Sequence, residues 1–542
     1  MSTHSSSPAN TLLWQSLGLG LLTLLLFCAG ADHQSAIGFD SRFFLFAKEM
    51  LRHGPGFFPT TYGEPYADYT SASTLLVWLF SLPGGQVTSF TAWLPTAIAS
   101  ALIVSLLYRL LAPYSRTWAL SSIALLLLSN TFISETRAVS LDQMLAAVSM
   151  AVFYLGYAHD HFAAPRRLGW ILLLLVLGFA IRGPIGLVIP TGMLCSYYLL
   201  AGQWRRLFGF GFSALGLLVL CIALLLWLAK LSGGQGFVDD VIRMQFMGRM
   251  DGSEGSSDVF YYFTSSLGNY ALAYPVALLV WIAVLVERSG EPASPAMRLL
   301  RWSTAAALVV MIGLSIPQAK KARYLLPMLP MAAIIASYPF QAHGSRLMAW
   351  LRGLIQGLWL LLPALLMVGL VVLRRKFPDQ LTSLPPMLVV LGLLQLLSLG
   401  LLFKRQWRAV GLACSAVLAV WACYIGVFEP VQHRLYDTRD FSQAALRLIE
   451  EQPAPLVLHR MGKDAKAIKF MVNLDQDLQP RFTDQPTALE QIVGPAWIIL
   501  DQGDLADLQG STLAGLKPVL SGRFDKNDFV LLHLPGPALP QP

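Results

Sequence analysis

The sequence predicts an α-helical polytopic membrane protein of about 13 transmembrane helices carrying a small soluble α/β domain at its C-terminus. Three observations predict it. Of 542 residues, 55% are hydrophobic and 13% are charged, about half the charged share of an ordinary soluble domain. Apolar stretches of about 20 residues, long enough to cross a bilayer, recur along most of the chain. Near residue 430 they stop, and short strand-like and helical runs take over. An ordinary soluble enzyme is excluded. The net charge of +8 comes from bases in short loops between apolar runs, which points to anchoring on anionic membrane lipids and not to nucleic acid.

Candidate spans, in order, cover roughly 11–31, 92–112, 118–134, 140–158, 169–181, 183–201, 208–231, 264–286, 302–318, 324–340, 353–373, 385–403 and 408–428. The first is too long and too apolar for a cleavable leader, and no Ala-x-Ala closes it, so it reads as a helix. The runs 169–181 and 183–201 are split by Arg182-Gly183-Pro184 and are either two helices or one segment broken within the membrane. Cys28, Cys195, Cys221, Cys414 and Cys423 all lie in apolar runs at spacings that match no metal motif. Residues 1–429 thus form a membrane domain and 430–542 an α/β domain, with strand-like runs at Leu456, Trp497 and Phe529, a helical run from Phe441 to Ile449, and a Pro-rich tail from Pro535.

Alternate loops fix the sides. One set holds Arg109/Arg116, Arg166/Arg167, Arg205/Arg206, Arg298/Arg301, Arg346/Arg352 and Lys404/Arg405/Arg408. These should be cytoplasmic, with the N-terminus. Residues 32–91, 232–263 and 429–542 are then external. Arg182, Lys320-Lys321-Ala322-Arg323 and Arg374-Arg375-Lys376 fall on the side that disfavours bases. Snorkelling at a helix end accounts equally well for the last group; for the others the neighbouring motifs favour anion binding.

In the first external loop, Phe43, Phe46, Ala47, Met50 and Leu51 recur at helical spacing behind Asp40. This helix is expected to lie flat on the outer leaflet. Tyr62, Tyr66, Asp68 and Tyr69 follow as a polar aromatic cluster of the kind that stacks on sugars, or that forms an interfacial aromatic belt. The Gly-rich loop 232–263, containing Asp239, Asp240, Arg249, Asp251, Gly252, Gly255 and Asp258, is expected to be flexible over a site, with Arg249 meeting substrate. Asp142 lies about one turn into the fourth span. A carboxylate there is a functional candidate unless it only pairs with Arg137 or Arg182, just as Asp40 could be a plain helix N-cap.

Four blocks resemble a family. Asp40-x-Arg42 with Ala47-Lys48-Glu49-Met50-Leu51 and Gly63-Glu64-Pro65-Tyr66-x-Asp68, then Leu141-Asp142, then Arg182-Gly183-Pro184-Ile185-Gly186, then Lys320-x-x-Arg323-Tyr324-Leu325-Leu326-Pro327 resemble the aminoarabinose transferase and protein O-mannosyltransferase group of GT-C glycosyltransferases. The resemblance covers roughly residues 10–340. It implies a GT-C fold, a polyprenyl-phosphate-linked sugar donor and inversion at the anomeric carbon, at the periplasmic face of an inner membrane. It also implies roles: Asp40 as catalytic carboxylate, Asp142 as second acid, and Arg182, Lys320 or Lys321, Arg323 and Tyr324 on the donor phosphate. Ser41 stands where many members carry a second acid, Asp68-Tyr69-Thr70-Ser71 replaces a Glu-Lys-Pro-Pro-like stretch, and Ser256 to Tyr262 lacks a His that relatives often place there. No tightly bound metal and no cofactor are therefore expected.

The chemistry stands beside the resemblance. Departure of a lipid phosphate develops negative charge, which cations at the membrane face stabilise without a nucleotide-binding domain. The acceptor hydroxyl needs a carboxylate to take its proton. The acceptor could be a lipid, a glycan or an exported protein. Alternatives are a glycan polymerase or ligase, which should need large external loops in the second half, and a flippase, which should place charge near mid-membrane. Lys230 and Gln395 are the only residues that suit the latter. A silent scaffold would leave Asp142 and the external cations unexplained.

Overall fold

A computed structural model describes residues 8–31, 34–165, 167–249, 258–287, 294–376, 384–476, 478–492, 494–508, 513 and 515–535. Expectations resting on Arg166, Asp251, Gly252, Gly255, Ser256, Ser257, the tail beyond Pro535, and the side chains of Arg249 and Lys376 lie outside this set. All 13 apolar runs are helical. Eight of the described helices are long and apolar enough to cross a membrane, or ten if each of two bent pairs is one span. The runs at 169–181, 183–201 and 324–340 form shorter helices. The chain is thus a multi-pass helical membrane protein.

Three interruptions shape one end of the helical body. Arg116–Leu127 and Asn130–Thr136 meet at 73°, and Tyr261–Asn269 and Ala273–Val286 at 111°. Between Leu168–Arg182 and Pro184–Leu200 the chain reverses at Gly183, whose φ of +65° suits glycine. The two helices then touch at Gly178 and Gly186, where an added Cβ would lie 2.2 and 1.9 Å from the partner's carbonyl oxygen. This settles the sequence ambiguity as two helices folded back on each other.

Residues 232–245 differ from the expected loop. Trp204–Gln245 continues as helix past a kink at Gly233–Gly234, where φ/ψ leave the helical region. Val238, Val241 and Gln245 are buried at helical spacing, so an amphipathic turn pattern hid behind the glycines.

The first-loop helix Asp40–His53 also differs from expectation. It is covered on both sides, with Ser41, Phe43, Phe44, Leu45, Phe46, Ala47, Glu49 and Met50 buried. Its cover is the C-terminal domain: Arg42 Nη2 donates to the Asp464 carbonyl at 3.0 Å, Lys48 pairs with Asp475 at 2.9 Å, and Arg52 Nη2 donates to the Leu474 carbonyl at 3.2 Å. An amphipathic pattern shows that a face is apolar but not what covers it.

Next comes a two-stranded hairpin, β1 (Thr60–Thr61) against β2 (Glu64–Pro65). Its turn residues Tyr62 and Gly63 both have positive φ, 56° and 78°, as a type I′ turn requires. Buried Glu49 accepts both turn N–H groups, from Tyr62 at 2.6 Å and Gly63 at 3.3 Å. The C-terminal domain carries a five-stranded sheet in the order β4 (Arg481–Thr483), β3 (Leu456–His459), β5 (Ala496–Asp501), β7 (Asn527–Leu534), β6 (Leu520–Phe524). The first three strands are parallel and the last two pair antiparallel. Helix Arg439–Glu451 packs Phe441, Ala445 and Ile449 on it.

Candidate active site

The interruptions deliver the site. Asp40 opens the first-loop helix but is not its N-cap; Phe39 holds that position without a side-chain cap. The Asp40 carboxylate instead accepts from the Trp93 indole N–H at 3.0 Å and from the Val139 backbone N–H at 3.2 Å. Val139 belongs to the short linker between the bent helix Asn130–Thr136 and helix Leu141–His161. Burial outweighs these bonds and raises the Asp40 carboxyl to about 7. That value is near the range in which a side chain both gains and gives a proton at neutral pH.

Asp142 sits in the first turn of Leu141–His161 and is 5% exposed. Its two oxygens divide between two arginines. Arg182 Nε donates to Oδ1 at 2.8 Å, and Arg323 Nε is ion-paired with Oδ2 at 3.3 Å without hydrogen-bond geometry. Arg182 ends helix Leu168–Arg182 and lies 5.0 Å above the Tyr324 ring, while Arg323 lies 4.3 Å above the Phe39 ring. Both guanidiniums meet Asp142 through Nε, and their terminal nitrogens are the groups a phosphate would take. Lys320 is buried beside them in sequence and Lys321 is partly exposed.

Asp40 and Arg323 line one cavity of about 480 Å³, together with Glu135, Arg137, Glu429, His433 and, from the C-terminal domain, Lys469, Asp525 and Lys526. Asp40, Asp142, Arg182 and Arg323 are therefore brought together at one end of the helical body. Glu135 and Glu429 were missed in the sequence, although a carboxylate in or at the end of an apolar run is the signal that singled out Asp142. Ser140 Oγ donates to Glu135 at 2.5 Å. Glu429 takes Arg137 bidentately, at 2.5 and 2.7 Å, and Arg137 Nη1 also donates to the carbonyls of Phe27 and Ala29 at 2.7 and 2.8 Å. Arg137 thus serves Glu429 and not Asp142. It also stacks 5.3 Å from Trp93, the residue that holds Asp40.

The tyrosines correct the sequence reading. Tyr62, Tyr66 and Tyr69 are all under a tenth exposed, so none shows an open face to a sugar. Tyr62 donates its hydroxyl to the Lys463 carbonyl at 2.9 Å and packs edge-on to Phe482. Tyr66 and Tyr69 lie parallel with each other and pack on Phe46 and Phe43. Asp68 pairs with Arg42 at 3.8 Å. Tyr62 joins the first loop to its cover, and Tyr66, Asp68 and Tyr69 pack within the loop. Gln395, the mid-membrane candidate, accepts from the Ala364 backbone N–H at 3.0 Å, next to Pro363 inside helix Arg346–Lys376.

A second, apolar cavity of about 230 Å³ lies beside the site, among Phe57, Phe58, Leu75, Phe179, Leu225 and Leu228. One edge is Ala180, two residues before Arg182, and the Ala180 carbonyl accepts the Thr70 hydroxyl. Among the described residues no group of three or more His, Cys, Asp or Glu could hold a metal ion.

Comparison with known proteins agrees with the resemblance read from the four blocks. Residues 32–232 match the family model of dolichyl-phosphate-mannose-protein mannosyltransferases. The fold superposes on the crystal structure of ArnT from Cupriavidus metallidurans in the apo state with a TM-score of 0.70 at 16% identity, covering 98% of this chain and 100% of that one. The same protein bound to undecaprenyl phosphate gives a TM-score of 0.66 at 16% identity, with the same coverage. No curated protein sequence matches.

Proposed function

We propose that this chain is an integral membrane glycosyltransferase that moves a sugar from a polyprenyl-phosphate carrier to a lipid, glycan or exported protein acceptor, with inversion, at the external face of a bacterial inner membrane. The observation that carries the reading is the convergence of Asp40 and Arg323 on one cavity, next to an Asp142 that holds Arg182 and Arg323 together. The family match and the undecaprenyl phosphate bound to the structurally similar ArnT support a donor of this class. The step balances. The acceptor oxygen forms a bond to the anomeric carbon, the bond from that carbon to the phosphate oxygen breaks, and the electron pair leaves with the polyprenyl phosphate. Asp40 accepts the acceptor's proton, and Arg182 and Arg323 stabilise the charge left on phosphate. The apolar cavity ending near Arg182 suits the isoprenoid tail. The flippase reading draws no support from Gln395, which caps a backbone N–H.

Asp40→Asn keeps the shape and, through its one amide oxygen, the Trp93 bond, gives up the Val139 bond, and removes the base. Transfer from a radiolabelled polyprenyl-phosphate sugar is expected to fall by a factor of about 100 or more, with expression and membrane insertion unchanged. Near-normal transfer by Asp40→Asn would sink the assignment.

A further inference from the structure

A cavity of about 400 Å³ opens between helices Leu141–His161, Leu168–Arg182, Pro184–Leu200 and Trp204–Gln245. It is not part of the site above. Arg167 precedes and Arg182 ends the same 15-residue helix, so they are about 22 Å apart at 1.5 Å per residue. The cavity therefore lies at the opposite end of the helical body, where the basic loops are.

Its mouth and its walls differ in chemistry. Arg167, Arg205 and Arg206 stand at the mouth, while Ile171 and Phe210 form apolar wall. Asp160 takes one of the three: it pairs with Arg206 and also accepts from the Tyr197 hydroxyl at 2.7 Å and Gln203 Nε2 at 2.9 Å. Arg167 and Arg205 have no carboxylate partner among the described residues. Next in sequence to the lining residues Ile171, Arg205 and Gly209, Trp170, Trp204 and Phe208 are 61%, 55% and 57% exposed. Open aromatic rings at that level mark the depth of lipid headgroups. Gly209 leaves empty the space where a Cβ would stand.

We propose that this cavity binds an anionic phospholipid, with its phosphodiester on Arg167 and Arg205 and an acyl chain against Ile171 and Phe210. Cationic groups set between helices at headgroup depth suit such a ligand. The apolar wall and aromatic rim favour a lipid over free phosphate. The inference does not depend on the transfer reaction.

The test uses the full chain in mild detergent, delipidated and then supplied with phosphatidylglycerol, phosphatidylcholine or inorganic phosphate, with bound lipid counted by native mass spectrometry. Phosphatidylglycerol should be retained and phosphatidylcholine should not, and inorganic phosphate at equal concentration should not displace it. Arg167→Ala with Arg205→Ala should weaken retention on the order of tenfold or more, at about a factor of five per basic group. Gly209→Phe, which fills the cavity with both arginines intact, should do the same and serves if the double variant fails to fold. Arg405→Ala, in another basic loop, should retain lipid as the wild type does. The proposal is overturned if phosphatidylcholine is held equally, if inorganic phosphate displaces the lipid, or if Gly209→Phe retains phosphatidylglycerol at the wild-type level.

Discussion

At the site end of the helical body Arg137 and Arg182 are 3% and 6% exposed, and each is paired with a carboxylate and stacked on an aromatic ring. At the other end Arg167, Arg205 and Arg206 stand open, and Asp160 serves only one of them. The same residue type therefore obeys two rules. An exposed arginine at the membrane surface needs only water and lipid phosphate, and its position follows from loop charge alone. A buried one must have its anion built into the fold, because an unpaired buried charge costs several kcal/mol. Arg137 and Arg182 are held by carboxylates of the fold, and at the opposite end only Arg206 has one, Arg167 and Arg205 standing open.

The sharpest way to break this comparison is to unpair a buried arginine. Glu429→Leu leaves Arg137 charged and buried, and is expected to lower stability by about 3–5 kcal/mol, read as a fall in melting temperature of the detergent-solubilised protein. Arg137→Leu combined with Glu429→Leu should recover much of that loss, since removing both partners of a buried pair is often close to neutral. Transfer should not recover in the double variant, because Arg137 stacks on the Trp93 that bonds Asp40. Recovery of both would make the pair purely structural.

The charge of Asp40 gives the next largest effect. Its carboxyl is raised to about 7 by burial, and only the ionised form takes a proton from the acceptor. Below that pH the group is protonated, so kcat/KM should fall about tenfold for each pH unit as the pH drops through the range below 7, and should level off above it. A flat profile between pH 5.5 and 8 would remove Asp40 as the base.

Much of this was legible because hydropathy is local. The helical character of the apolar runs and the small sheet domain at the C-terminus follow from stretches of 10 to 20 residues read alone. Asp142 was identified with Arg182 as one of two possible partners, and the structure joins them. What was not legible depends on contacts distant in the chain. The helix Asp40–His53 was assigned to lipid because nothing local tells a domain's cover from a leaflet. Tyr66 and Tyr69 read in the sequence as a sugar platform or an interfacial belt, because an aromatic cluster looks alike whether packed or open. Gly233-Gly234 suggested a loop where the chain kinks and continues as helix.

A smaller effect tests the join between the first loop and the C-terminal domain. Glu49 holds the N–H groups of Tyr62 and Gly63, and the same turn receives Gln479 Nε2 on the Tyr62 carbonyl at 3.3 Å and gives its hydroxyl to Lys463. Glu49→Ala leaves two backbone donors without their acceptor and should cost about 1–3 kcal/mol, measured by thermal unfolding. Protease cleavage within 430–542 should rise modestly in the same variant, since part of the domain's hold on the first loop runs through this turn while Arg42, Lys48 and Arg52 keep theirs.

The smallest effect belongs to the exposed end. Arg405→Ala removes an open surface charge, and such changes stay within about 0.5 kcal/mol. Each change removes one charge: Arg405 is exposed in a turn with no carboxylate partner among the described residues, whereas Glu429 is 2% exposed within a helix and paired with Arg137. If Arg405→Ala destabilised the protein as strongly as Glu429→Leu, charge number and not enclosure would govern both ends. The buried pairs around Asp40 would then lose their claim to be a built site.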